Sequence, residues 1–264
     1  MQKRVIVVKI GGSTLGTHDT TLEDLVERQQ QGESLVVVHG GAKVTSEWLT
    51  RLGIPTNFVK GLRVTDAETL KVVTAALSGL VNKELVVAIQ SLGGKAVSLS
   101  GCDGNLLQAS IKSRELGYVG KIIAVDAAPL KMLLDAGYMP VVSPVSCGLV
   151  GDRMMLLNVN GDTAAGEIAA ALAADELIFL TDVDGILDES GKTMPSLNLA
   201  MAEDLLSSGA ASGGMVPKIE ASLRALTTTK VVRIMDGGVA HALRDDIAGH
   251  VQKIKSGGTT IVSE

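Results

Sequence analysis

Val5-Ile6-Val7-Val8-Lys9-Ile10-Gly11-Gly12 sets the architecture of this chain. Four β-branched residues in succession read as a strand buried on both faces, the pattern of a parallel sheet covered by helices. The run closes on a lysine and two glycines, so Lys9 should stand where the strand empties into a loop. Ligands of open α/β sheets bind at that carboxyl edge. A lysine there presents a point charge to phosphate, and glycines let backbone N–H groups approach it. Taken alone, a strand lysine is more often a solvated sheet-edge residue. The rest of the chain decides between the two.

Similar apolar runs recur and alternate with helical patterns, the signature of βαβ units. Strands are expected at Val5–Ile10, Ser34–His39, Lys95–Leu99, Met139–Ser143, Glu176–Thr181, Lys230–Met235 and Thr259–Val262. Helices are expected near 20–31, 42–52, 66–91, 126–136, 162–174, 215–227 and 240–249. Thr65 with Glu68 three residues on reads as a capping box for the third of these, and Gly93-Gly94 end it. That helix is apolar on several faces (Val72, Leu77, Leu80, Val81, Leu85, Ile89), which predicts burial against both its own sheet and a second subunit. Residues 104–121 read as a hairpin excursion and Leu187–Thr193 as a short turn. The whole predicts an α/β fold with a mostly parallel open sheet in two lobes, 1–175 and 176–264.

Composition agrees. Apolar residues make up 46% of the 264 and aromatics only 2%, so Val, Leu, Ile and Ala must build the core. The net charge is −5 without a polybasic tract, which argues against nucleic acid or an anionic membrane as partner. Cys102 and Cys147 show no metal spacing or disulfide framework, as expected of thiols in a reducing compartment. The apolar run after Met1 is too short for a signal peptide or membrane span. A cytoplasmic location is expected.

Neither G-x-x-x-x-G-K-[ST] nor a helix-opening G-x-G-x-x-G is present, which excludes the common P-loop and dinucleotide signatures. Other strings suit anions. His39-Gly40-Gly41-Ala42 follows a Leu-Val-Val-Val strand and precedes a helix, whose amides and dipole would cradle a phosphate; a tight βα turn also explains it. Arg63, in Gly61-Leu62-Arg63-Val64-Thr65-Asp66, offers a fork for a carboxylate or is a solvated loop arginine. In Asn158-Val159-Asn160-Gly161-Asp162, Asp162 is either an N-cap or the group that orients lysine ammoniums. Thr181-Asp182-Val183-Asp184-Gly185-Ile186-Leu187-Asp188 looks like a metal site, yet Asp-Gly turn chemistry explains it as cheaply. Gly213-Gly214-Met215-Val216-Pro217-Lys218 completes the set.

In this order, KIGGS, HGGA, GLRVTDAETL, NVNGD, TDVDGILD and GGMVPK resemble the amino-acid kinase family, over nearly the whole chain, and within it the branch acting on N-acetyl-L-glutamate. The resemblance implies an αβα sandwich with an N-lobe for the amino-acid substrate and dimerisation and a C-lobe for ATP. It implies that Lys9 and Lys218 flank the transferring phosphoryl group, that Asp162 holds them, and that Gly12 and Gly41 give N–H groups to phosphate oxygens with Ala42 beside them. Arg63 and Asn158, with Asn160, would hold the acceptor. Asp182, Val183, Asp184, Gly185, Ile186 and Leu187, with Ala210, Ala211 and Ser212, would line the ATP site. Mg²⁺ would arrive on the nucleotide, without metal ligands from the protein. Ala42 departs from a third glycine usual in the family.

The implied reaction is phosphorylation of the side-chain carboxylate of N-acetyl-L-glutamate in arginine biosynthesis. Alternatives are a kinase for carrier-protein-bound 2-aminoadipate, which resembles GLRVTD less well, and a non-catalytic amino-acid sensor, which should have dropped Lys9, Asp162 or Lys218. Uridylate and carbamate kinases fit the Arg63 and Asn158 strings poorly. Arginine-inhibited members of the branch resemble hexamers with an extra helix before the first strand. Here that strand starts within a few residues of Met1, so an arginine-insensitive homodimer is expected.

Overall fold

The β-branched runs form strands and the amphipathic stretches between them form helices. The computed structural model describes residues 3–11, 20–188, 190–211, 213–244 and 257–263. Its strands are β1 (Val5–Ile10), β2 (Ser34–His39), β3 (Phe58–Val59), β4 (Leu62–Arg63), β5 (Ala96–Ser100), β6 (Leu107–Ile111), β7 (Gly120–Val125), β8 (Met139–Ser143), β9 (Val145–Val150), β10 (Arg153–Asn158), β11 (Glu176–Thr181), β12 (Ser196–Asn198), β13 (Val231–Asp236) and β14 (Thr259–Val262). The helices are α1 (Thr21–Gln30), α2 (Ala42–Arg51), α3 (Ala67–Thr74), α4 (Asn82–Ser91), α5 (Ala128–Asp135), α6 (Gly161–Leu172), α7 (Leu199–Ser207) and α8 (Met215–Ala225).

Eight strands make one sheet in the order β12-β14-β13-β11-β1-β2-β8-β5. Every pairing in it is parallel except β13 with β14. Side chains alternate across β1: Ile6, Val8 and Ile10 join Leu25, Val26, Leu85 and Ile89 of α1 and α4 on one face. Val7 joins Ala164, Ile168, Ile219 and Ala225 of α6 and α8 on the other. Helices on both faces make a three-layer α/β fold, and each fully buried Val or Ile contributes roughly 1.5–3 kcal/mol. The second face also carries a smaller sheet, β10-β9-β6-β7. The expected hairpin excursion is its β6–β7 pair.

Chain order reverses direction at β1, with β2 on one side and β11 on the other. The carboxyl ends of β1, β2, β11 and β13 therefore share one edge, at the switch point where α/β sheets bind ligands. Loops there are stitched together: Gly11 N–H donates to Leu180 O, Gly40 N–H to Ile10 O and Gly237 N–H to Thr181 O.

Several expectations are corrected. Asp66, not Thr65, caps α3: its carboxylate accepts from Thr69 N–H at 2.7 Å, in extended backbone geometry. The long helix turns Val73, Leu77, Val81, Leu85 and Ile89 inward, while Val87 on its outer face is 63% exposed. Between α3 and α4 it passes through a π segment, Ala75–Val81. The helix is long and apolar enough to cross a membrane by length and composition, but Val72, Val73, Leu77, Val81, Leu85 and Ile89 are buried within the protein. No helix opens at 240: the chain runs through turns from 237 to 244, and the remainder of that stretch lies outside the described residues. The β9–β10 hairpin, β12 and α7 carry no counterpart in the sequence reading.

Candidate active site

Lys9 is the penultimate residue of the buried strand β1 and is only 8% exposed. Burying an ammonium requires a partner, and Asp162 supplies it: Lys9 Nζ lies 2.8 Å from Asp162 Oδ1. The second carboxylate oxygen accepts from Lys218 Nζ at 3.2 Å. Lys218 Nζ also donates to Gly214 O, one turn back, at 3.3 Å. Two ammoniums therefore share one carboxylate, and the cluster keeps an excess positive charge in a nearly dry setting.

Packing of α6 on α8 makes this meeting possible. A Cβ at Gly166 would lie 2.6 Å from Ala221 O, so only glycine lets the two helices approach this closely. Asp162 lies in the first turn of α6, whose N-cap is Asn160: its Oδ1 accepts from the N–H of Asp162 at 2.9 Å and of Thr163 at 3.0 Å. Asp162 is thus free of capping duty and turns to the lysines.

Beside the cluster opens a cavity of about 200 Å³ lined by Lys9, Gly40, Gly41, Ala42, Thr45, Phe58, Arg63, Asn158, Asn160 and Asp162, among others. Gly41 precedes α2 with φ +154°, and a Cβ there would lie 2.5 Å from Leu77 Cδ2 in the π segment. Ala42 opens α2 in ordinary backbone geometry, so its methyl costs nothing. The first N–H groups of α2 lack intrahelical acceptors and, with the dipole, favour an anion. Opposite them, Arg63 Nη2 donates to Ala42 O at 3.1 Å and Ser46 Oγ at 2.8 Å. Arg63 Nη1 is buried without a partner, and the Phe58 ring stacks on the guanidinium at 4.8 Å. Burial pulls the Arg63 pKa below its usual value. Asn158 Nδ2 donates to Thr65 Oγ1 at 3.0 Å.

The expected nucleotide residues lie elsewhere on the same sheet edge, past the end of β11. Asp182, Val183, Asp184 and Leu187 are exposed, while Gly185 and Ile186 pack inward. Ile186 N–H donates to Thr259 Oγ1 at 2.8 Å, which pins the turn to β14. Ahead of α8, Ala210 is exposed and Ala211 is half-buried against the core. None of these lines the cavity at Lys9, and Lys218 meets it only through Asp162. Gly12 and Ser212 lie outside the described residues. No group of three His, Cys, Asp or Glu suited to a metal occurs among the described residues. Phe58, Ser46 and Thr45 were missed by the sequence reading; only the fold brings them to Arg63 and Gly41.

The sequence profile of the Amino acid kinase family matches residues 4–236. The chain belongs to the amino acid kinase family. It is 42% identical over 270 residues to the acetylglutamate kinase of Dehalococcoides mccartyi, covering 100% of this chain and 96% of that one. It is 45% identical over 242 residues to the acetylglutamate kinase of Cereibacter sphaeroides, covering 90% and 82%. The fold superimposes with a TM-score of 0.82 on N-acetylglutamate synthase from Neisseria gonorrhoeae complexed with coenzyme A and N-acetyl-glutamate, at 25% identity over 99% of this chain and 60% of that one.

Proposed function

We propose that this amino acid kinase transfers the γ-phosphoryl group of ATP to the side-chain carboxylate of N-acetyl-L-glutamate, giving N-acetyl-L-glutamyl 5-phosphate and ADP in arginine biosynthesis. The observation that carries the reading is Asp162 bridging Lys9 and Lys218 beside a cavity that holds an unpartnered Arg63 Nη1. The relatives named acetylglutamate kinase support it over nearly the full chain.

The acceptor carboxylate ionises near pH 4.3 and needs no general base at neutral pH. Catalysis then rests on positioning and on positive charge against the transferring phosphoryl oxygens. Lys9 and Lys218 supply that charge, and Asp162 holds both ammoniums apart and aimed. The N–H groups of Gly41 and Ala42, with that of Gly12, bind phosphate oxygens. Arg63 Nη1 pairs with an acceptor carboxylate, with Asn158 alongside. Asn160 acts as the cap that sets α6. ATP is taken as its Mg²⁺ complex, on the carboxyl side of β11 at Asp182–Leu187 and Ala210–Ser212. Both Asp162 oxygens are engaged by lysines, which leaves them unsuited to a metal.

In this reading residues 1–175 bind the acceptor and 176–264 the nucleotide. The outward face of the long helix, with Gly79, Lys83 and Val87 exposed, forms a homodimer interface, and light scattering that gives a hexamer would contradict it. Two free thiols, Cys102 and Cys147, suit a cytoplasmic setting. A sensor that lost its chemistry is disfavoured because Lys9, Asp162 and Lys218 are all present and in contact. ADP release measured with N-acetyl-L-glutamate, L-glutamate, 2-aminoadipate and carbamate tests the reading. Selective turnover of N-acetyl-L-glutamate is expected, and equal or absent rates with all four would contradict it.

A further inference from the structure

One buried group in the cradle has no part in the chemistry above. The His39 imidazole is fully buried where β2 turns into the glycine loop, and its Nδ1 lies 2.7 Å from Gly40 O. A carbonyl only accepts, so Nδ1 carries the proton and Nε2 of the neutral ring is an acceptor. Asn82 Nδ2 faces that Nε2 at 3.0 Å. The orientation of the Asn82 amide is settled independently: Nδ2 also meets Val141 O at 2.9 Å and Leu99 O at 3.3 Å. Two carbonyls would repel Oδ1 there.

The consequence falls on Gly41. Gly40 C=O and Gly41 N–H belong to one planar trans peptide and point in opposite directions. Anchoring the carbonyl on His39 therefore aims the N–H the other way. Without that anchor a Gly-Gly peptide reorients at little cost, since neither residue carries a Cβ. Burial, with Lys9 nearby, pushes the His39 pKa down to about 4, so the ring stays neutral at physiological pH.

We propose that His39 and Asn82 form a positioning pair for the phosphate cradle, Asn82 fixing the imidazole tautomer and His39 fixing the peptide whose N–H is that of Gly41. The pair links the cradle to α4 at the end of the π segment. Neither side chain lines the cavity. The catalytic consequence rests on the kinase reading; the tautomer does not.

Imidazole ¹⁵N shifts of the unliganded protein should show Nδ1 protonated and Nε2 bare, and Asn82→Leu should mix the tautomers. His39→Leu and Asn82→Leu should lower kcat roughly 10- to 100-fold, with the acceptor KM changed less than about threefold on the same reasoning. His39→Asn, whose amide nitrogen takes the place of Nδ1, should recover most of that kcat despite a similar loss of packing. An Nε2–H tautomer in the wild type would overturn the pair whatever the activity. So would a His39→Leu kcat within about twofold of wild type, or kcat losses in His39→Leu and His39→Asn that simply track their melting temperatures. A wild type with the expected tautomer but no turnover of N-acetyl-L-glutamate would overturn the kinase reading while supporting the pair.

Discussion

Lys218 Nζ meets Asp162 Oδ2 at 3.2 Å across 56 residues of chain. The contact joins the first turns of two helices that pack through Gly166 and Ala221, and it sets the second of two ammoniums beside the cavity. If Lys218 stabilises charge on the transferring group, its replacement acts on the transition state more than on binding. Lys218→Met should lower kcat by roughly 100-fold or more, the scale of one lost oxyanion donor. KM for N-acetyl-L-glutamate should change little, because Arg63 and Asn158 remain. Steady-state kinetics on both substrates would check this, and near-normal kcat would remove Lys218 from the reaction.

Arg63 predicts the opposite split. Its Nη2 is held by Ala42 O and Ser46 Oγ, and Nη1 is buried and unpartnered. Lysine cannot reproduce two anchored nitrogens on one planar group. Arg63→Lys should raise the acceptor KM by roughly 10- to 100-fold, as expected for a lost hydrogen bond to a charged group. The KM for ATP should stay within about twofold, since the substitution is remote from the nucleotide residues.

Gly166 tests whether helix packing sets the site. A Cβ there would sit 2.6 Å from the backbone carbonyl of Ala221, which cannot rotate away. Gly166→Ala should cost about 1–3 kcal/mol of stability by overpacking. It should also lower kcat, because α8 must move and carry Lys218 from Asp162. Denaturant unfolding alongside kinetics would separate the two effects; full stability with normal kcat would show that the helices accommodate the methyl.

Stability should fall on mild acidification. His39 titrates at about 4 in the fold and near 6.5 when unfolded, because burial disfavours the imidazolium. Between those values the unfolded chain binds the extra proton, so this contribution is complete above about pH 6.5 and is lost as pH falls toward 4. The loss approaches about 3 kcal/mol across that window. Urea unfolding at pH 7 and pH 5 should show it in the wild type, and His39→Asn should flatten the difference. An unchanged slope in that variant would assign the pH dependence elsewhere.

Much of the frame was legible before folding because parallel strands announce themselves as β-branched runs. Val5–Ile10, Ser34–His39, Met139–Ser143, Glu176–Thr181 and Thr259–Val262 have the bounds expected of them. What escaped has weak local signals. Met154-Met155-Leu156-Leu157 in β10 suits a helix as well as a strand, and Ser146 and Cys147 in β9 hide its alternation. Asn198, whose side chain caps α7 by accepting from Met201 N–H, was a usable signal for that helix. Thr65 and Asp66 are both capping residues, and only backbone geometry chooses Asp66. The π segment left no signal in the residue pattern; in the fold its Leu77 and Val81 pack against Gly41. In the site, Lys9, Gly41, Ala42, Arg63, Asn158, Asn160 and Asp162 stood out as residue types in motifs, and the cavity gathers them. Phe58 and Ser46, the partners of Arg63, and Asn82, the partner of His39, lie on other elements and are visible only once the chain folds.

Lys9 and Lys218 are proposed to stabilise a phosphoryl group moving from ATP to a carboxylate. Hydroxylamine trapping of the acyl phosphate formed from Mg-ATP and N-acetyl-L-glutamate tests this directly, in wild type and in Lys218→Met. The account predicts hydroxamate in step with ADP release in the wild type and a loss of both in the variant. ADP release without hydroxamate, or equal hydroxamate from both proteins, would contradict it.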